Sequence, residues 1–281
     1  MGVNNEGAEN RRDPVARRYI DAHIHIDLYA EAEQTVLLEE AFRNGVEAVV
    51  AVSMQLESCK RNAVLAGLYP GRVHPAYGFH PEQTLPEERE VERLLSWIRQ
   101  RHAAGDAFAI GEVGLPYYMR TDKEAAGHYF DEAPYLCLLD RFAQLAAELD
   151  RPIVLHAVYE DGDKACDLLE RHGVRKAHFH WFKGAEATVE RMMKAGYRIS
   201  VTPDVAYEPE IAALVQKYPI ELLMAETDGP WPFEGPFAGM ATKPLMVREV
   251  AKSISRIKGL PLKETEAMLL QNTKSFYGIG K

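Results

Sequence analysis

The chain has 281 residues, enough for one large α/β barrel or two ordinary domains. With 47% hydrophobic, 27% charged and 9% aromatic residues it can fill a sizeable core, which excludes a disordered or collagen-like chain. A formal net charge of -9 excludes a broadly basic surface that holds polyanions non-specifically, so a nucleic-acid substrate would need local grip, for instance from bound cations.

Residues 1–18 read as a polar N-terminal extension, and residues 19–281 as one catalytic domain. The extension carries Arg pairs but no apolar stretch, and Glu6 stands where N-myristoylation requires Ser or Thr, so neither a secretion signal nor a lipid anchor is expected. No run approaches the roughly 18 consecutive apolar residues of a membrane span. The three cysteines form no CxxC pair, which argues against a disulfide framework and places the chain in a reducing cytoplasm.

From Tyr19 onward, short apolar runs alternate with longer stretches of helical period, the pattern of repeated βα units. Strands are predicted over 19–24, 46–52, 72–78, 107–113, 152–156, 177–181, 197–202 and 221–226. Helices are predicted over 31–45, 91–102, 135–149, 164–173 and 187–196, several closed by a Gly suited to a C-cap, with two more near 243–257 and 262–277. Eight parallel-type runs without a Pro- or Ser-rich linker predict a single-domain (βα)8 TIM barrel, with a doubly wound sheet as the alternative.

A barrel of this kind gathers its chemistry at the carboxyl ends of the strands. The polar residues meet that demand. His23 and His25 end the first run, His80 follows the third, Glu112 ends the fourth, His156 the fifth and His180 the sixth, while Asp228 follows the eighth. His23 and His25, two apart on a strand, share a face and can reach one ion. An HxH pair arises by chance in about one chain in three at this His content, so its position carries the argument. Glu112 follows an apolar strand with no Lys or Arg beside it, and Gly111 and Gly114 let the backbone turn closely around whatever it binds. Of His178 and His180, the strand-end position selects His180 and leaves His178 one layer deeper, as packing or support for a ligand. Asp228 precedes a Gly-Pro turn and reads as a ligand that also takes a proton from water.

The order HxH, GFHP, GEVGL with an aromatic pair, LH, FHWF and ETD resembles the TatD family of metal-dependent hydrolases, from about Tyr19 to Phe276. That resemblance implies a (βα)8 barrel of amidohydrolase-like type and a divalent-metal-dependent hydrolase, in many members a deoxyribonuclease. It makes His23, His25, Glu112, His156, His180 and Asp228 the metal ligands, with Glu112 bridging two ions and His80 beside the substrate. Two divalent ions would activate a water, with Asp228 orienting it and accepting its proton. His and carboxylate ligands suit Zn, Mn, Fe or Ni, and Mg in a carboxylate-rich half-site.

This chain departs from the family pattern where substrate is gripped. Pro116 replaces the usual Asp after GEVGL, and Ala157 and Val158 replace the usual Ser and Arg after the LH histidine. Lys183 and Arg120 are the cations that could take over phosphate recognition, or else solvated loop charges, and Tyr117 and Tyr118 could stack on a base or sugar. The expected substrate is DNA or a nucleotide phosphodiester, with no membrane and no obligate protein partner. An amidohydrolase-type enzyme acting on a small C–N bond or lactone and a non-catalytic metal-binding barrel are the alternatives.

Overall fold

A computed structural model describes residues 19–280. Its eight strands are β1 (Tyr19–Ile24), β2 (Val46–Ala51), β3 (Val73–Tyr77), β4 (Ala109–Gly114), β5 (Ile153–His156), β6 (Ala177–Phe179), β7 (Arg198–Val201) and β8 (Leu223–Ala225). They pair in parallel in sequence order. Two backbone bonds join the ends of the series: the Asp228 N–H donates to the His23 carbonyl and the His25 N–H to the Gly229 carbonyl, each at 2.9 Å. The result is a single-domain (βα)8 barrel. The extension expected over residues 1–18 lies outside the described residues.

The strands are buried on both faces and so read as near-continuous Val/Ile/Leu/Ala runs rather than alternating ones. Neighbours such as Val49 and Val50 point to different clusters, Val49 into the layer between strands and helices, Val50 into a smaller cluster with Val52, Ala76, Ala109 and Val154. Tyr277 packs against that smaller cluster and against Ile20, Ala48 and Ile279.

The helices are α1 (Glu31–Arg43), α2 (Leu56–Leu68), α3 (Glu88–Ala103), α4 (Tyr117–Ala125), α5 (Ala133–Glu148), α6 (Glu160–His172), α7 (Glu186–Ala195), α8 (Pro209–Lys217), α9 (Val247–Lys258) and α10 (Leu262–Tyr277). α6 and α7 end on Gly173 and Gly196 in left-handed conformation, the stop signal read from the sequence. α2, α4 and α8 were not among the expected helices. α4 buries none of its residues, so it offers no apolar stripe to read, and the loop expected around Arg120 is a helical turn instead.

Candidate metal centre

His23, His25, His80, Glu112, His156, His180 and Asp228 are all buried at the carboxyl end of the barrel, and Glu112 lies at their centre. Glu112 Oε2 is 3.1 Å from His23 Nε2 and 3.2 Å from His25 Nε2. Glu112 Oε1 is 2.7 Å from His180 Nε2 and 3.1 Å from His156 Nδ1. Asp228 Oδ1 closes the first group at 3.3 Å from His23 Nε2 and 3.5 Å from His25 Nε2. One carboxylate oxygen therefore faces each pair of imidazoles.

Two glycines make this convergence possible. A Cβ on Gly114 would lie 1.8 Å from the His156 carbonyl oxygen, so β4 can approach β5 this closely only without a side chain. Gly111 takes a positive φ, and a Cβ there would meet Val154 at 2.7 Å.

The donor set fits divalent cations. His23 Nδ1 and Nε2, Glu112 Oε2 and Asp228 Oδ1 are buried without a hydrogen-bond partner, a state that bound cations relieve. Ligand atoms of His23, His25 and Glu112, and of His23, His180 and Asp228, lie within 4.8 Å of one another. Burial alone would raise the Glu112 carboxyl, but the His180, His80 and His23 imidazoles hold it well below the usual carboxylate range. Glu112 in turn holds His23 up at about 9 and raises His156 and His180, against the lowering effect of their burial.

His80 also groups geometrically with Glu112 and His156. Its hydrogen bonding argues for a different role. The Glu82 backbone N–H donates to His80 Nδ1 at 3.2 Å, so the neutral ring carries its proton on Nε2, 3.4 Å from Glu112 Oε1. An Nε2–H is a donor and not a ligand. His178 sits one layer down, as expected from its spacing: Nε2 meets Ser200 Oγ at 2.5 Å, Nδ1 meets the Tyr277 hydroxyl at 2.6 Å, and burial lowers its pKa to about 3.

Comparison with known proteins shows the family of the chain. A family profile described as TatD related DNase matches residues 20–278. The chain belongs to the TatD family. A metal-dependent hydrolase of uncharacterised activity from Haemophilus influenzae is 35% identical over 258 residues, covering 92% of this chain and 98% of that protein. The human deoxyribonuclease TATDN3 is 27% identical over 266 residues, covering 92% of this chain and 94% of its own. The crystal structure of the TatD homologue YjjV from Escherichia coli superimposes with a TM-score of 0.81 at 26% identity, covering 94% of this chain and 99% of that one.

A cavity of about 280 Å³ opens beside the cluster, walled by Glu82, Tyr118, Val158, Trp181 and Trp231 as well as the histidines and Asp228. Two of the substrate contacts expected from the sequence lie elsewhere. Tyr117 packs on Tyr159 with centroids 4.7 Å apart, and Lys183 Nζ stands 5.2 Å from the Trp181 ring; neither lines the cavity. Arg120 is held by Glu160 at 2.7 Å, Asp161 at 3.1 Å, Glu132 at 3.3 Å and Glu124 at 3.7 Å, so it is not a solvated charge.

Glu82 was missing from the sequence reading. Its carboxylate accepts the N–H groups of Tyr118 at 2.8 Å and Met119 at 2.7 Å, the second and third residues of α4, and lies 3.3 Å from His156 Nε2. It caps the helix that Pro116, with no side-chain acceptor, cannot cap, while fixing which His156 nitrogen points inward. Its position two residues past His80, in a βα loop, was the available signal. Three of the four non-glycine residues with positive φ among the described residues, Tyr159, Trp181 and Asp228, follow the ends of β5, β6 and β8. Such conformations persist where surrounding structure holds them, often at functional sites.

Proposed function

We propose that the protein is a divalent-metal-dependent phosphodiester hydrolase, a deoxyribonuclease or nucleotide phosphodiesterase, working in a reducing cytoplasm with its cysteines free. The observation that carries this reading is the split Glu112 carboxylate, one oxygen toward His23, His25 and Asp228, the other toward His156 and His180. These six residues would hold two divalent cations of Zn, Mn, Fe, Ni or Mg type. Such cations supply Lewis-acid polarisation of the scissile ester and make a water acidic enough to attack near neutral pH.

The chain's own residues do the rest. Asp228 is pinned to β1 by its N–H, with Oδ1 free of hydrogen bonds, and accepts the proton of the attacking water. His80 lines the cavity with its proton on Nε2, 3.4 Å from Glu112 Oε1, and donates it in a hydrogen bond to the substrate oxygen that gains charge. Glu82 keeps His156 turned with Nδ1 inward. The activity of the TATDN3 deoxyribonuclease, as its name states it, supports the ester class.

A second reading has one observation behind it: among the described residues, no Lys or Arg lines the cavity. That favours an uncharged substrate and an amidohydrolase-type reaction on a small C–N bond or lactone at the same cluster. Purified protein loaded with each metal and screened against single-stranded DNA, small phosphodiesters, amides and lactones separates the two. His156→Ala should abolish metal-dependent turnover while the far-ultraviolet circular dichroism stays native; wild-type turnover in that variant refutes the site.

A further inference from the structure

Three aromatic residues, Tyr118, Trp181 and Trp231, line the cavity beside the candidate ligands. Trp181 is fixed there, its backbone N–H bonded to Glu226 Oε1 at 2.8 Å and its indole N–H to Asp204 Oδ2 at 2.5 Å. Asp204 is itself bonded by Thr202 at 2.5 Å. With both donors engaged, Trp181 presents only apolar surface to a ligand. Trp231 and Tyr118 are each 44% exposed, and both line the same opening. A large aromatic left open beside a buried polar cluster is a recognition feature, since apolar surface is otherwise driven inward.

The electrostatics of the opening point the same way. Proteins that track a nucleic-acid strand combine stacking rings with a basic groove along the phosphates. Here the rings are present and, among the described residues, no cation lines the opening: Val158 is apolar, Arg120 is taken up by four carboxylates, and Lys183 lies outside the lining with Nζ 5.2 Å from the Trp181 ring. Glu82 adds a carboxylate to the rim. A cavity of about 280 Å³ sits at the low end for small-ligand sites.

We propose that this opening selects small substrates by stacking: one planar aryl or nucleobase group lies against Trp231 and Trp181, beside a scissile group carrying a single negative charge. Within the phosphodiester reading this favours the small diester over the polyanionic strand, because among the described residues no Lys or Arg lines the opening to neutralise further phosphates, Lys183 being set against the Trp181 ring with Nζ 5.2 Å from it. For the bond cleaved, the proposal rests on the phosphodiester reading; for the ring, it does not.

Two measurements test it on the metal-loaded protein. The first compares kcat/KM for bis(p-nitrophenyl) phosphate with that for a single-stranded 12-mer. The aryl diester should be favoured at least tenfold, with little change between 50 and 200 mM salt. Trp231→Ala should raise its KM about tenfold, the range of one lost stacking contact, and Val158→Arg should narrow the gap to the 12-mer. Preference for the 12-mer with a steep salt dependence overturns the proposal. The second measures binding of phenylphosphonate against methylphosphonate by calorimetry and needs no turnover. The phenyl compound should bind at least tenfold tighter in the wild type and lose that margin in Trp231→Ala; equal binding of the two overturns the proposal. A protein that cleaves no phosphodiester yet keeps the phenyl margin loses the reading of the bond and retains the reading of the ring.

Discussion

Replacing Glu112 by Gln tests the central geometry, because the amide has the same shape and only one ligand atom. The wild-type carboxylate turns Oε2 toward His23 and His25 at 3.1 and 3.2 Å, and Oε1 toward His180 and His156 at 2.7 and 3.1 Å. A glutamine can offer oxygen to one pair only. Its NH2 faces the other pair as a donor, where cation binding requires lone pairs. Glu112→Gln should therefore keep at most one ion per chain after dialysis, counted by plasma mass spectrometry, against two in the wild type. Removing one preorganised electrostatic group costs about 10²- to 10³-fold in rate, and a group shared by both sites should reach the upper figure, near 4 kcal/mol of barrier. Metal at about 100 times Kd should stabilise the wild type by about 2.7 kcal/mol, raising Tm by roughly 5 to 10 °C, and the variant by less than half of that. Two tightly held ions in Glu112→Gln, with turnover within tenfold of wild type, would show that this carboxylate does not bridge.

The remaining predictions concern the surroundings of the cluster. Glu82→Ala should weaken metal binding or turnover by about 10- to 100-fold through His156 and lower stability by about 1 kcal/mol through the lost α4 cap. Adding Pro116→Asp should restore the stability without the metal affinity, and recovery of both together would mean that Glu82 acts only as a cap. Metal affinity should climb as pH rises from 6.5 to about 9, with proton release, because ion-free His23 is held at about 9 and cation binding needs it neutral. The same upward shift stabilises the ion-free fold below pH 6.5 and is lost as pH rises through about 9. Calorimetric titration with Zn²⁺ in buffers of different ionisation enthalpy reads both the affinity and the protons; a flat profile contradicts the assignment. A thiol reagent at pH 8 should modify Cys137 alone in the folded protein, since Cys137 is exposed while burial pushes Cys59 and Cys166 up to about 12. Rapid reaction of more than one thiol rules this out.

The barrel and the cluster were legible in the sequence for one reason. In a parallel barrel a strand's end is also a position in the site, so finding eight apolar runs locates His23, His25, Glu112, His156, His180 and Asp228 without any long-range information. Nothing comparable marks the residues that act from loops. Glu82 and Trp231 follow turns whose composition allows many conformations, and Trp181 takes its place from bonds to Glu226 and Asp204, 45 and 23 positions away. Arg120 shows the limit most clearly. Its four carboxylate partners come from α4, from the residue before α5, and from α6, and a helix with no buried residue carries no periodic signal to announce that meeting.

Pro116, Glu82 and His156 are connected through the start of α4. An Asp at position 116 would cap α4 with its own side chain; with Pro116 there, the amides of Tyr118 and Met119 need another acceptor, and Glu82 supplies it from the neighbouring loop. The same carboxylate lines the opening and sits against His156 Nε2. Val158 adds no charge to the same opening, whose other walls include Tyr118, Trp181 and Trp231. The geometry of the candidate cluster is set separately, by strand ends and by Gly114, whose place against the His156 carbonyl admits no side chain. In this barrel the candidate ligands stand at or just past strand ends while Glu82, Trp181 and Trp231 stand in loops, so a loop substitution can change what the opening admits without moving the ligands.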